Sequence, residues 1–259
     1  MARQLRIGAV TRELAAAGCI AARAEAEILV AEAPDAVTLR RWVGRRVQGE
    51  PLAWITGTTV FCGRTLRMAT GVYIPRAQTE EVARRAVAVL TGQDHGTGPV
   101  ADLCTGAGAV AAHLRAEVPS ASVVGVDLDP RAVACAASNG VPSVRGDLDG
   151  PLRPGRFTVV TAVVPYVPTA ELAFLPADVR RYEPLLALDG GSDGLDVARR
   201  VVRGAARLLH AGGSLLLELG GDQDEALEPA LAAAGFEDAV AWHDADGDLR
   251  GLQARRRRD

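Results

Sequence analysis

The sequence of 259 residues has few of the side chains from which metal centres and disulfide frameworks are built. Its four cysteines lie far apart and form no Cys-x-x-Cys pair, so neither a zinc site nor a set of disulfides is predicted. The four histidines are equally scattered, and we therefore predict no metal ion. These residues are Cys19, Cys62, Cys104 and Cys135, and His95, His113, His210 and His243.

Long apolar runs are also missing, although hydrophobic residues make up 48% of the chain and suffice for a core. No run reaches the roughly 18 apolar residues of a membrane-spanning helix. The first residues mix Arg3, Arg6 and Arg12 with Glu13, where a secretory leader would continue as an uninterrupted apolar stretch. The sequence predicts a cytoplasmic protein without a membrane association.

The chain has no excess of positive charge. Its 29 positive residues, all arginine, are balanced by 32 acidic residues, which gives a formal net charge of -3. This balance provides no general attraction to phosphate backbones, so nucleic acid is not predicted as a partner. The run Arg255-Arg256-Arg257-Arg258 is interpreted as a solvated chain end. Asparagine is nearly absent as well, since Asn139 is the only one.

Helical spacing of apolar residues marks the first part of the chain. It is found in residues 7–14 and 22–30, and Asp35 is the predicted N-cap of a further helix. We expect residues 1–50 to form a small helical domain. Because a unit of this size is too small to be stable alone, it should pack on its neighbour.

Residues 51–75 change in character. The β-forming residues and glycines of Trp54-Ile55-Thr56-Gly57 and Val60-Phe61-Cys62-Gly63 predict a β-hairpin connector. In residues 76–259, short apolar runs alternate with segments long enough for helices, which predicts a parallel α/β sheet. The predicted strands are 100–103, 123–126, 157–164, 214–219, 239–242 and 251–254. The last two are close in sequence and are expected to pair as an antiparallel edge.

A glycine-rich turn follows the first of these strands, in Asp102-Leu103-Cys104-Thr105-Gly106-Ala107-Gly108. In doubly wound sheets, ligands bind at the carboxyl ends of the strands, and glycines let the backbone approach them closely. Asp127, followed by Leu128, ends the second strand, where a carboxylate can accept both hydrogens of a ribose diol. A third strand is expected between residues 139 and 147, and Asp147 after it is placed to accept from an adenine amino group, with Leu148 against the ring.

Two adenosine cofactors are compatible with this pattern. Gly106-x-Gly108-x-x-Ala111, with Asp127 nearly twenty residues on, satisfies the relaxed fingerprint of nicotinamide dinucleotide enzymes. S-adenosylmethionine (AdoMet) is favoured by the acidic Asp102 within the turn, which can act on a cationic methionine end directly or through the loop. It is also favoured by Pro165-Tyr166 after the fourth strand, a pair typical of amino-methyl transfer.

Three further stretches accompany the glycine-rich turn. They are Glu50-Pro51-Leu52-Ala53-Trp54-Ile55-Thr56-Gly57, then Ile74-Pro75-Arg76-Ala77-Gln78-Thr79-Glu80, and Tyr182-Glu183-Pro184 with Leu188-Asp189-Gly190-Gly191 and Asp193-Gly194-Leu195. In this order and across nearly the whole chain, they resemble the motifs of the protein-(glutamine-N5) methyltransferases. That family modifies the glutamine of the Gly-Gly-Gln loop in peptide-chain release factors.

The resemblance implies an α/β fold of the class I AdoMet-dependent methyltransferase type, a Rossmann-like seven-stranded sheet with an antiparallel last strand. It also implies that residues 1–50 dock a protein substrate, a release factor, that residues 51–75 form the hairpin connector, and that residues 76–259 bind AdoMet. The expected cofactor-binding residues are Asp102, Cys104, Thr105, Gly106, Ala107, Gly108, Asp127, Leu128, Asp147, Leu148 and Val163. The expected substrate-binding residues are Arg76, Gln78, Val163, Val164, Pro165 and Tyr166, of which Val164, Pro165 and Tyr166 are assigned to catalysis.

The sequence departs from the family at a few places. Cys104 replaces a glycine of the turn, and Ala77 and Gln78 replace Pro and Glu. The family's Asn-Pro-Pro-Tyr is Val-Val-Pro-Tyr here. In the family, the asparagine oxygen and a following backbone carbonyl accept the hydrogens of the substrate amide. The side chain of Val163 has no acceptor, whereas the carbonyl of Val164 remains, and the Gln78 oxygen is a candidate substitute.

These departures leave three interpretations open. The protein methylates a release-factor glutamine, or it methylates an acceptor with a better nucleophile, such as an amine or a carboxylate. Alternatively, it binds AdoMet and docks partners without catalysis. Amino-methylation of DNA, which uses a similar tetrapeptide, is disfavoured by the net charge and by the lack of a recognisable target-reading domain.

Overall fold

The computed structural model of the protein describes residues 2–92 and 98–258, so that His95 lies outside the described residues. The α-helices of this part are α1 (Ala2–Ala16), α2 (Ala22–Glu32), α3 (Ala36–Val47), α4 (Leu52–Thr56), α5 (Glu80–Thr91), α6 (Ala109–Glu117), α7 (Pro130–Ser138), α8 (Ala177–Tyr182), α9 (Asp196–Leu208) and α10 (Gln223–Ala233). The strands are β1 (Thr58–Phe61), β2 (Arg64–Arg67), β3 (Val100–Leu103), β4 (Val123–Asp127), β5 (Ser143–Arg145), β6 (Phe157–Ala162), β7 (Leu209–Glu218), β8 (Phe236–His243) and β9 (Leu249–Arg256).

The described chain divides into two compact units, and the smaller is helical. It consists of the described residues up to Thr58 together with Pro176–Tyr182. Its core is formed by the predicted apolar stripes, with Leu14 and Leu29 fully buried. The predicted N-cap is confirmed, because the Asp35 carboxylate accepts a hydrogen bond of 2.7 Å from the backbone N–H of Thr38 at the start of α3.

The prediction that Trp54-Ile55-Thr56 belongs to the hairpin is wrong, since these residues lie in α4. The helix starts directly after Pro51 and ends at Gly57, whose φ of 78° only glycine adopts without cost. Trp54 and Ile55 are buried, so burial of large side chains outweighs their β propensity. The hairpin is β1–β2, and it follows Gly57 immediately.

The larger unit contains the predicted seven-stranded sheet, with strand order β5-β4-β3-β6-β7-β9-β8. All neighbouring strands are parallel except β9, which is antiparallel to β7 and to β8. The predicted antiparallel pairing of the last two strands is confirmed, but β9 is not an edge strand. It pairs with β7 on its other side, and Leu252 and Ala254 are buried there.

The connections of this sheet determine where a ligand can bind. The chain runs outward from β3 to β4 and β5 and then returns to β6 on the other side of β3. The strand order therefore reverses at β3 and β6, and in such folds the ligand crevice lies at the carboxyl ends of the strands at this point. The predicted fourth strand is shorter than expected, because β6 ends at Ala162 and leaves Val163 and Val164 in the following loop.

Among the described helices, none combines the length and the apolar character needed to cross a membrane.

Candidate functional site

The glycine-rich turn connects β3 to α6 at the carboxyl end of the sheet. Gly106 and Gly108 have φ values of 56° and 78°, which are unfavourable for other residues. A side chain at Gly108 would come within 2.9 Å of the Ala136 Cβ, whereas the space beside Gly106 is open. Gly108 therefore lets the turn pack on α7, and Gly106 exposes backbone to a ligand.

Asp102 lies beneath this turn and is buried. Its carboxylate accepts hydrogen bonds from the hydroxyls of Thr105 at 2.6 Å and of Thr161 at 2.7 Å. Burial raises the pKa of Asp102 to about 6, although both hydroxyls oppose the shift. The sequence left open whether Asp102 acts on a ligand directly or through the loop. The geometry favours the second, because both oxygens are already engaged by threonines.

Asp127, at the end of β4, is tied to the same turn. Its Oδ2 accepts from the backbone N–H of Gly106 and its Oδ1 from that of Asp129, both at 2.9 Å. Burial raises the pKa of Asp127, and the two backbone donors oppose the rise. Since each carboxylate oxygen has a second lone pair, Asp127 retains two acceptor positions that suit a ribose diol.

Three other predicted cofactor residues are Leu128, Asp147 and Leu148. Asp147 makes an exposed ion pair of 2.7 Å with Arg200, which balances the charge of its carboxylate. Leu148 is buried at a φ of 50°, and Leu128 is 46% exposed. Leu128 is thus the apolar side chain that is free to cover a ligand.

The structure gives a reason for the departure from the family at Cys104 and for the single asparagine, Asn139. Cys104 has a φ of 55°, which accounts for the glycine at this position in the family, and burial raises the pKa of its thiol. The side-chain amide of Asn139 donates to the backbone oxygens of Ala107 at 2.9 Å and of Arg67 at 3.0 Å. The only asparagine of the chain therefore links the glycine-rich turn to β2 and is not an acceptor-site residue.

The Val-Val-Pro-Tyr tetrapeptide forms the loop that leaves β6. Val164 and Pro165 are buried, and Val163 and Tyr166 are partly buried. Val163 packs against the apolar cluster beneath α5 and α6. The carbonyl oxygen of Val164 accepts no hydrogen bond from any of the described residues. This oxygen is thus available to a ligand that can displace the surrounding side chains.

The Leu-Asp-Gly-Gly stretch holds this loop from one side. Val167 forms an isolated parallel bridge with Asp189, and the N–H of Gly190 donates to the Val167 oxygen at 2.9 Å. A side chain at Gly194 would lie 2.3 Å from the backbone oxygen of Tyr166. A side chain at Gly190 would lie 2.7 Å from the backbone oxygen of Pro165, so Gly190 and the nearby Gly194 are both required by the close approach of two loops.

Gln223, which the sequence did not single out, supports the same loop. The Gln223 side-chain amide donates to the Tyr166 backbone oxygen at 2.9 Å, while its oxygen accepts from the N–H of Gly220 at 3.2 Å. Glu183 is buried and pairs with Arg76, whose guanidinium also lies over the Tyr73 ring at 4.9 Å. The Ile-Pro-Arg and Tyr-Glu-Pro motifs are thus joined by one ion pair.

Gln78 lies in a short 3-10 turn, Ala77–Thr79, at the start of α5. Its side-chain N–H donates to the Tyr166 hydroxyl at 3.0 Å, and the same nitrogen is 3.5 Å from Oε1 of Glu218. Glu218 ends β7 and is fully buried. Burial raises the pKa values of both Glu218 and Tyr166. The predicted residues Gln78 and Tyr166 therefore meet, together with a carboxylate that was not predicted.

No group of three or more metal-ligating side chains is found among residues 2–92 and 98–258. The donors of the site suit an adenosine cofactor instead, with a carboxylate for a diol and open backbone at Gly106.

Comparison with known proteins identifies the family. A methyltransferase domain family model matches residues 100–182. The release factor glutamine methyltransferase of Geobacter sulfurreducens is 40% identical over 214 residues, 80% of this chain and 74% of the relative. That of Moorella thermoacetica is 38% identical, over 88% of this chain and 89% of the relative. A 4-amino-L-phenylalanine/4-methylamino-L-phenylalanine methyltransferase of Streptomyces pristinaespiralis is 36% identical, over 87% and 80%.

Solved structures support the fold. A T. thermophilus 16S rRNA methyltransferase in complex with AdoMet and guanosine superposes with a TM-score of 0.52 and 16% identity, covering 78% of this chain and 45% of that one. A ribosomal protein L11 methylase of Lactobacillus delbrueckii subsp. bulgaricus gives 0.51 and 16%, covering 74% and 85%. The nicotinamide alternative is thereby set aside. The chain belongs to the release factor glutamine methyltransferase family and is an AdoMet-dependent methyltransferase.

Proposed function

We propose that this protein transfers the methyl group of AdoMet to the side-chain nitrogen of a glutamine in a peptide-chain release factor. The proposal is carried by the way in which the Pro165-Tyr166 loop is held in place. Gly190 and Gly194 pack against it, Gln223 fixes its backbone and Gln78 reaches its tyrosine. A loop that served only to end a strand would not require such support.

The cofactor half of the site performs two tasks in this proposal. The turn from Cys104 to Gly108 supplies backbone against the methionine end, and Asp127 accepts from the ribose diol. Leu128, Asp147 and Leu148 surround the adenine, and Val163 borders the reacting end. When bound, AdoMet supplies an electrophilic methyl group on a sulfur that becomes neutral as the methyl departs. Little help is then needed at the leaving group.

The acceptor half has the harder task, because an amide nitrogen is poorly nucleophilic. Its lone pair is delocalised into the carbonyl, so the site must align the nitrogen and accept its hydrogens. The nitrogen forms its new bond to the methyl carbon, the carbon–sulfur electron pair stays on sulfur, and one N–H proton leaves to solvent. The free carbonyl of Val164 serves as one acceptor. A second N–H left unpaired would cost about 1 to 3 kcal/mol, or roughly ten- to a hundredfold in rate.

We assign docking of the protein substrate to the helical unit within residues 1–50, with residues 51–75 as connector and residues 76–259 as the catalytic part. Leu5, Ile20, Ile28 and Val37 project from this unit as exposed apolar side chains. Single exposed apolar residues are common, but four on a small helical unit are suited to a protein surface. A protein acceptor also agrees with the net charge of -3, which disfavours nucleic acid. The proposed location is the cytoplasm, where release factors act.

The direct test is transfer of a labelled methyl group from AdoMet to a purified release factor. A release factor in which the Gly-Gly-Gln glutamine is replaced by alanine is the matched control. We expect label on the parent release factor and none on the control. Equal labelling of both, or of neither, contradicts the proposal. If only a Val163→Asn, Val164→Pro double variant labels the glutamine, the natural acceptor is a different one.

An amine acceptor is the second candidate, and two observations favour it. Val163 offers no hydrogen-bond acceptor, which an amine with its own lone pair tolerates better than an amide does. A relative 36% identical to this chain is named for methylation of 4-amino-L-phenylalanine. The same assay with that amino acid separates the candidates, because methyl transfer to it alone excludes the release factor.

A further inference from the structure

The orientation of the Gln78 side chain is fixed by its partners. One of its two terminal atoms is 3.0 Å from the Tyr166 hydroxyl and 3.5 Å from a carboxylate oxygen of Glu218. The atom that faces both partners is the amide nitrogen, which donates to the Tyr166 hydroxyl. The Gln78 oxygen, Oε1, therefore points away from Glu218.

This oxygen remains unused by the protein. None of the described residues donates a hydrogen bond to Gln78 Oε1, and the atom is not among the buried polar atoms that lack a partner. It is thus an accessible carbonyl acceptor on a side chain that contacts Tyr166. A glutamine on a free surface would have both ends in solvent, whereas here only the acceptor end is open.

Glu218 is placed to hold this arrangement. It follows Leu217, whose register partner in β6 is Ala162, so Glu218 lies beside the position of Val163 at the end of the sheet. It is fully buried, and its second oxygen makes no hydrogen bond of normal geometry among the described residues. A buried carboxylate is costly unless its charge is stabilised, and the neighbours that do so for Glu218 are the Thr79 hydroxyl and the Gln78 amide.

Two sequence departures fall on the same cluster. The motif asparagine is Val163 here, and the motif glutamate is Gln78. One carboxamide has been lost from the tetrapeptide and another has been gained on the residue that hydrogen-bonds its tyrosine. The first change removes a polar side chain and the second exchanges a carboxylate for a carboxamide, so that together they keep one carboxamide at the acceptor side of the site.

We infer that Gln78 replaces the missing asparagine, so that its oxygen accepts an N–H of the acceptor nitrogen, and that Glu218 is the positioning residue that orients it. This inference rests on the proposed glutamine methylation and assigns the second acceptor that Val163 lacks. Val164 contributes its backbone oxygen and Gln78 its side-chain oxygen.

The test is a comparison of four proteins in the release factor assay: the parent, Gln78→Leu, Val163→Asn and the double variant. Gln78→Leu is expected to lower kcat ten- to a hundredfold and to leave the KM for AdoMet unchanged, since it removes an acceptor at the reacting nitrogen. Adding Val163→Asn should restore kcat to within about threefold of the parent, because it returns a carboxamide to the site. Gln253→Leu, at a half-buried glutamine of β9, is the matched control and should match the parent.

Glu218 is tested through its conservative variant. Glu218→Gln keeps an oxygen for Gln78 and should stay within about threefold of the parent kcat, whereas Glu218→Leu should lose as much as Gln78→Leu. If Glu218 only stabilised the fold, Glu218→Gln and Glu218→Leu would both be unfolded. Parent-like kcat in Gln78→Leu, or no recovery in a folded double variant, overturns the inference.

Failure of the proposed function gives a different pattern. If the parent is inactive on the release factor but Val163→Asn is active, Gln78 does not replace the asparagine and the inference is overturned. If neither the parent nor Val163→Asn is active, the proposed function fails. The orientation of Gln78 is then tested through the pKa of the Tyr166 hydroxyl. Gln78→Leu should raise the pKa of Tyr166 in carbon-13 tyrosine NMR, because donation from Gln78 lowers it. An unchanged pKa overturns the inference.

Discussion

The proposed site has a cofactor half and an acceptor half, and these halves satisfy their buried carboxylates differently. On the cofactor side, every oxygen of Asp102 and Asp127 accepts a hydrogen bond from the protein itself. On the acceptor side, Glu183 and Glu218 each bury an oxygen for which the described residues provide no hydrogen bond of normal geometry. The cofactor half is a completed framework that holds its own shape. The acceptor half retains carboxylate oxygens that can still accept a hydrogen bond. This suits a site whose substrate changes its hydrogen-bonding groups during the reaction.

The departures from the family follow the same division. The cofactor half has Cys104, at a backbone position with φ of 55° that the loop still maintains. The acceptor half has Ala77, Gln78, Val163 and Val164. Four changes to the protein or its conditions test whether the two halves can be disrupted separately.

The largest effect is expected from Gly194→Ala, which affects the acceptor half alone. The new Cβ would lie 2.3 Å from the Tyr166 oxygen, at a φ of 76°, so the tetrapeptide must move. A shift of about 1 Å at reacting groups can cost a hundredfold, and we expect kcat to fall at least about a hundredfold with AdoMet affinity nearly unchanged. Gly247→Ala, also at positive φ but in open space, is the control for backbone strain. An equal loss of AdoMet affinity would show that the halves are coupled.

Asp127→Ala should disrupt the opposite half. It removes the proposed acceptor for the ribose diol and frees the N–H groups of Gly106 and Asp129. The loss of about 3 kcal/mol corresponds to roughly a hundredfold weaker AdoMet binding in calorimetry. At saturating AdoMet, kcat should stay within about fivefold of the parent. Unchanged affinity would contradict the assignment of Asp127.

The pH dependence of AdoMet affinity tests Asp102. Its pKa is raised from 3.8 to about 6, so its contribution to stability falls as pH rises through this window and is constant above it. The cationic end of AdoMet favours the ionised carboxyl. Affinity should therefore rise about tenfold between pH 5 and pH 7. Calorimetry on Asp102→Asn should show a smaller rise, and an identical rise in both proteins excludes Asp102 as its source.

The smallest effect is expected from Cys104→Gly. Glycine adopts the φ of 55° without strain but loses the packing of the thiol and has a more flexible unfolded state, so the contributions to stability largely cancel. AdoMet affinity should change by less than about threefold, because the backbone conformation of the turn is retained. A larger loss in calorimetry would mean that the cysteine side chain itself contacts the cofactor.

The same division explains what was predictable from sequence. The sheet, the glycine-rich turn and Asp127 follow from local patterns, because strand runs, glycines and strand-end acids lie close together in the chain. The pairing of Arg76 with Glu183 and of Gln78 with Glu218 joins residues far apart in sequence, so no local pattern indicates it. Glu218 did leave a signal, as an acid inside the apolar run 214–219, where a charge must have a purpose. The error at α4 has a different cause, since five residues are too few for periodicity to reveal a helix.

Site-resolved mass spectrometry of a release factor incubated with this protein and AdoMet tests the central claim most directly. The account predicts a single added methyl group on the glutamine of the Gly-Gly-Gln loop, and a strong reduction of that product with the Gln78→Leu variant. A methyl group on another residue, or an unmodified release factor in the presence of a protein that binds AdoMet, would contradict it.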